Sequence, residues 1–261
     1  MPGGVVPLVV DHLSVRYGRK DAATDVSFTV NTGEVLGVLG PNGAGKTSTI
    51  KAIAGLVPKS GKALVLGHDM RADGMVVRPR FGMLMENQSL IESVTPSEYF
   101  ELIASAREFA VGDINRLKSV VGLFHLDEYM GTPMGALSLG NRQKVSIIAS
   151  LVHKPELLIL DEPFSSLDLR SVVILENLIE ELKRNGSGVL VSTHMVDLAE
   201  KFCDRIAILS NGKLAEIGTA EEIKVKMGSD SLSEAFLKAT GLDKDILDAM
   251  KVFGDGEERQ E

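Results

Sequence analysis

A disulfide cannot staple this chain, because Cys203 is its only cysteine. That absence fits a reducing compartment. Cys203 sits in an apolar, helix-like stretch and reads as a small core residue, with a reactive thiol as the other reading. Long apolar runs are missing as well. No stretch approaches the ~20 residues that a membrane helix needs, so any membrane role has to come through a partner. Met1 to Val10 is apolar, but Pro2 and Pro7 interrupt it and no basic residue precedes it, which makes a poor signal peptide. Basic residues are in deficit: 28 Lys and Arg face 36 Asp and Glu, for a formal net charge of -8. A protein that grips nucleic-acid backbones needs a basic face, so that class is disfavoured. A small anionic ligand needs only local donors and stays open.

What is present is ordinary for a globular protein: 44% hydrophobic and 25% charged residues in a chain of 261. That length allows one large domain or two small ones. Val9 to Val15 and Ser27 to Val30 read as strands, and Val35 to Leu39 as a short buried strand ending in a glycine-rich loop. Ile50, Ile53, Ala54 and Val57 then recur at helical spacing, and Ala63 to Leu66 reads as strand. From about Thr95 to Val152 the patterns are mostly helical. Thr95-Pro96-Ser97-Glu98 has the form of a helix start, with threonine as cap and glutamate completing a capping box. Leu157 to Leu160 and Val189 to Ser192 read as strands, with helices at Val172 to Leu182 and Val196 to Phe202. Ser210-Asn211-Gly212 lies between Ile206–Leu209 and Lys213–Ile217 and signals a hairpin. These alternations predict an α/β fold: a mostly parallel sheet with helices on both faces and an antiparallel β-subdomain. The expected boundaries are an α/β domain over 5–220 with a helical insertion at about 85–153, a helical extension over 221–253, and a polar, acidic, disordered tail over 254–261.

Gly40-Pro41-Asn42-Gly43-Ala44-Gly45-Lys46-Thr47 fits the phosphate-binding loop pattern, with a buried strand before it and a helix after it. Glycines let consecutive N–H groups face phosphate oxygens, and the helix N-terminus adds partial positive charge. Lys46 is placed to reach the β- and γ-phosphates and the Thr47 hydroxyl to bind Mg²⁺. Ser48, next in the chain, is counted with the nucleotide-binding set. Asp161-Glu162 follows the apolar strand Leu157–Leu160, at the strand end that faces the loops where ligands bind. Asp161 is expected to hold Mg²⁺ through water and Glu162 to orient or deprotonate an attacking water. A solvated acidic turn is the alternative when that pair is taken alone.

The residues between narrow the class. Leu137-Ser138-Leu139-Gly140-Asn141 resembles the signature motif of ABC ATPases. Ser165-Ser166-Leu167-Asp168 resembles the family's D-loop, Ser192-Thr193-His194 its switch histidine, and Tyr17 its adenine-stacking aromatic. The matches run in family order from residue 8 to about 220. The resemblance implies ATP and Mg²⁺ as cofactors, with Tyr17 on the adenine and His194 in catalysis. It also implies a shared site, in which the phosphate loop of one subunit and Ser138 and Gly140 of another clamp one ATP. The second subunit is then a copy or a paralogue. Glu86 aligns with the family's metal- or water-contacting glutamine, with Gln88 close by; a surface acid is the other reading of Glu86. Leu139 and Asn141 depart from the usual glycine and glutamine. The segment Ser231 to Gly241 resembles the end of drug, sodium and polysaccharide exporter ATPases. Taken together, the expectation is an ATP-hydrolysing subunit that powers transport, in the export direction, by a separate transmembrane permease, peripheral on the inner face of the cell membrane. Two other classes compete with this one. A soluble ABC ATPase of repair or translation lacks support, since no coiled-coil insertion or second cassette is present, although cluster assembly stays open. A non-hydrolysing regulatory module is disfavoured by Lys46, Asp161, Glu162 and His194.

Overall fold

A computed structural model describes residues 5–86 and 90–242. The expected tail over 254–261, the end of the expected extension, and Gln88 lie outside the described residues.

The chain opens with β1 (Leu8–Tyr17) and β2 (Lys20–Val30), an antiparallel pair. Both run longer than the alternation predicts, β2 most of all, because pairing supplies what residue preference alone does not. β3 (Val35–Leu39) is buried at every position and leads through the glycine-rich loop into α1 (Lys46–Ile53). β4 (Ser60–Val65) pairs with β1, giving a three-stranded sheet of order β2-β1-β4. α2 (Met70–Val77) and β5 (Phe81–Leu84) follow. The sequence pattern announces neither: α2 holds Gly74 and is kinked at Asp73, and β5 has only four residues. α3 (Pro96–Ala106) starts as its cap predicts, the Glu98 N–H donating to Thr95 Oγ1 and the Thr95 N–H to the Glu98 carboxylate. α4 (Val111–Leu123) and α5 (Leu139–Leu151) complete the helical stretch. Then come β6 (Leu157–Asp161), α6 (Leu169–Arg184), β7 (Gly188–Thr193), α7 (Val196–Phe202), β8 (Arg205–Ser210) and β9 (Lys213–Gly218). Asn211 and Gly212 both have positive φ, as the tight turn between β8 and β9 requires. α8 (Ala220–Met227) and α9 (Leu232–Thr240) close the described chain, α9 burying Leu232, Ala235 and Phe236.

Among the described residues, the main sheet has six strands in the order β5-β6-β7-β3-β8-β9, all parallel except β9. Along β6, Leu157 and Ile159 pack with β1, β2 and α1, while Leu158 and Leu160 pack with Val145 and Ile148 of α5 and Leu175 of α6. Burial on both faces explains why the central strands are apolar throughout rather than alternating. Among the described residues, no helix is long and apolar enough to cross a membrane. Cys203 follows α7, and burial pushes its thiol up to about 12, so it stays protonated and serves as core.

His153 lies just past α5, with Nε2 3.2 Å from the Phe81 carbonyl oxygen. Burial first, and then the nearby Arg107 charge, holds its pKa down at about 4 against an ordinary 6.5. The unfolded chain therefore takes up a proton below pH 6.5 that the folded chain refuses until about pH 4. The His153 contribution is full above that window and is lost as the pH falls through it, by about 3 kcal/mol. Urea unfolding at pH 7 and at pH 5 is expected to show a smaller loss of stability for His153→Gln than for the wild type. Equal losses would mean that this imidazole titrates normally in the fold.

Candidate functional site

Strands β6, β7 and β3 are neighbours, with Asp161 in register with Ser192 and Leu39 with Thr193. The loop after β3, the carboxylates at the end of β6 and His194 after β7 therefore emerge together at the carboxyl ends of the parallel strands. Gly45 has φ 104°, and a Cβ there would stand 2.4 Å from the Ala22 carbonyl oxygen of β2. Only glycine allows the loop to wrap this closely under β2.

Lys46 begins α1 and folds back over the loop. Its Nζ donates to the Gly40 carbonyl oxygen at 2.7 Å and lies 3.3 Å from Glu162 Oε1. Both side chains are only 7% exposed. Glu162 Oε2 is 3.0 Å from His194 Nδ1, and the imidazole is half exposed. One carboxylate thus bridges the loop lysine and the histidine. Glu162 carries φ 49°, in the left-handed region. Such a backbone costs about 1–3 kcal/mol in a non-glycine residue and gathers at functional sites. Its N–H is shared between Ser192 Oγ at 3.1 Å and the Ser192 carbonyl oxygen at 3.2 Å.

An open cleft of about 220 Å³ lies over the loop. Its lining runs from Pro41 to Ser48 and includes Tyr17, Glu86 and Glu162. Lys20 and Ala22 of β2 line it too, and the sequence reading passed them over; strand continuation past Tyr17 was the signal that could have found them. Asn42, Gly43, Ala44 and Thr47 all face this cleft, with Gly40 beneath it as the anchor of Lys46. Asp161 does not line it and is fully buried. Ser138 and Gly140 do not line it either. Ser138 caps α5, its hydroxyl accepting the Asn141 N–H at 3.2 Å. Gly140 lies against the Ser166 backbone, where a Cβ would come within 2.7 Å of the carbonyl oxygen. Leu139 is 63% exposed, so the unusual leucine disturbs no packing. Within one chain the signature segment touches the D-loop, not the cleft.

The donor set suits a magnesium ion. Among the described residues, no three His, Cys, Asp or Glu side chains gather into a cation cage. Mg²⁺ does not need one, since it takes one or two carboxylates beside phosphate oxygens. Among the described residues, the buried Asp161 Oδ2 has no hydrogen-bond partner, while Oδ1 accepts from Ser192 Oγ at 2.5 Å. An unpartnered buried carboxylate oxygen is costly unless a cation or water satisfies it. Thr47 and Glu86 supply a hydroxyl and a second carboxylate in the cleft.

A family model described as ABC transporter matches residues 23–165. The probable multidrug ABC transporter ATP-binding protein YbhF of Escherichia coli is 34% identical over 91% of this chain, which spans 42% of that protein's length. The daunorubicin resistance ATP-binding protein DrrA3 of Streptomyces coeruleorubidus is 32% identical over 89% of this chain and 74% of its own. A solved structure described as the ATP binding subunit of an ABC transporter superposes with a TM-score of 0.84 at 33% identity, covering 89% of this chain and 99% of that one.

Proposed function

This chain belongs to the ABC transporter family as its ATP-binding subunit, an ATPase, and we propose that it powers export through a separate membrane-spanning partner. The observation that carries the catalytic part is Glu162, held between Lys46 and His194 at the mouth of the phosphate loop. Export is favoured because two similar proteins carry multidrug and daunorubicin-resistance names, and because α9 has the exporter-like end.

In this reading the loop N–H groups and Lys46 hold the β- and γ-phosphates, and Tyr17 stacks on the base. Thr47 and Glu86 in the cleft would hold Mg²⁺, with Asp161 reaching it through water, and the ion's charge would offset that of the β- and γ-oxygens. Glu162 takes the proton of the attacking water, and His194 fixes the Glu162 carboxylate through the bond at 3.0 Å. Ser138 and Gly140 lie outside the cleft, so they serve a second ATP-binding subunit, identical or paralogous. The chain then sits on the inner face of the membrane, held there by the permease.

The docking face in this reading runs from Glu86 across α3. Between α3 and α4 lies a groove of about 340 Å³, with Phe100, Leu117 and Val121 in its lining beside the exposed Glu101 and Lys118. Cysteine placed at Glu101 is expected to crosslink to the permease in membranes that contain both proteins. Crosslinks that form only from the C-terminal segment would place the docking face elsewhere.

A further inference from the structure

Ser192 had no role in the sequence pattern beyond standing two residues before His194. It is fully buried at the end of β7, across from Asp161. We propose that Ser192 is a positioning residue, whose hydroxyl aligns the Asp161 carboxylate for a divalent cation and holds Glu162 in its left-handed backbone. The inference rests on the Mg²⁺-ATP reading of the cleft.

A hydroxyl has one proton to give. Ser192 gives its own to Asp161 Oδ1, at 2.5 Å. The Ser192 oxygen is then left to accept, and what it accepts is the Glu162 N–H at 3.1 Å. The bonds run in one direction, from the Glu162 amide through Ser192 Oγ to Asp161. One buried oxygen therefore touches both acidic residues of the site. Tying Oδ1 to a strand holds the carboxylate against rotation and leaves Oδ2, which has no partner among the described residues, to face a cation. Ser150 Oγ, by contrast, bonds back to Ile147 in its own helix, and Ser171 Oγ to Asp168, the cap of its own helix. A group that orients a metal-binding carboxylate typically contributes about 10–100-fold in metal affinity or activity.

The test uses the full chain with Ser192→Thr and Ser192→Val, which share a shape and differ by a hydroxyl. ATP affinity is measured in excess Mg²⁺ and in EDTA, and hydrolysis is titrated with Mg²⁺. The valine variant is expected to need about 10–100-fold more Mg²⁺ for half-maximal hydrolysis. Its affinity for ATP in EDTA should match the wild type, and threonine should restore the Mg²⁺ response. Should the branched side chains prevent folding, Ser192→Ala, which removes only the oxygen, is compared with wild type by the same two measurements. A hydroxyl-free variant with the wild-type Mg²⁺ response overturns the proposal. So does one that loses ATP affinity equally with and without the metal, since that is structural damage. A wild type whose ATP affinity and hydrolysis ignore Mg²⁺ would instead sink the metal assignment itself, and this proposal with it.

Discussion

Glu162→Gln is expected to lower hydrolysis by about 10²–10⁴-fold while ATP still binds. Phosphoryl transfer to water needs the water in line with the γ-phosphate and a group that accepts its proton. Glutamine keeps the size of Glu162 and removes its basicity. The bond geometry explains why binding should survive. Glu162 Oε1 lies beside Lys46 Nζ at 3.3 Å, so the carboxylate competes with an incoming phosphate for the ammonium. Removing that charge frees Lys46 for the nucleotide. The loop amides and Asp161 are untouched. The variant should therefore linger in the ATP-bound state. If ATP joins the loop of one subunit to Ser138 of another, that state is a dimer. Light scattering after size exclusion should find monomers without nucleotide and dimers with ATP. Ser138 is exposed and caps α5, so adding Ser138→Arg costs about 1 kcal/mol of capping and places bulk and charge on the outer clamp. Dimers should then disappear while each monomer still binds ATP. A double variant that dimerises equally well would refute the shared site. If neither form dimerises alone, the same comparison is made with a paralogous subunit and its permease present.

Lys46→Ala is expected to remove most ATP binding and essentially all hydrolysis. Charge-assisted bonds to two phosphates, at about 1.5–3 kcal/mol each, correspond to a loss of about 10²–10⁴-fold in affinity. The structure adds a local consequence. The Gly40 carbonyl loses its Lys46 donor, and Glu162 keeps only the half-exposed His194 beside its carboxylate. A thermal melt separates damage to the loop from loss of a phosphate contact, and calorimetry with ATP measures the contact. Unchanged affinity together with unchanged hydrolysis would overturn the phosphate-loop assignment.

The sequence by itself determined the segments whose logic is contiguous. A buried strand, a loop of glycines and a helix lie side by side in the chain, so β3, the loop and α1 were legible, and Gly45 could be named before its φ was known. The capping box of α3 and the turn of Asn211 and Gly212 were legible for the same reason: each is closed by hydrogen bonds or backbone angles within four residues. β5 and α2 were not. A four-residue edge strand and a kinked helix bury too few residues to print a period, and they exist because β6 and β4 give them something to pair with or pack on. The tertiary structure alone decided what the site residues do to one another. Lys46 and Glu162 are far apart in the chain, and only the order β6-β7-β3 brings them to 3.3 Å. The same order sets Ser192 across from Asp161 and makes a strand serine into the link between two acids. Folding also leaves Ser138 outside the cleft, with the neighbouring Gly140 against Ser166. Periodicity records which face of an element is buried, but not which strand lies beside it. Strand order is set by the crossovers and by the packing of helices on both faces, which are properties of the whole chain.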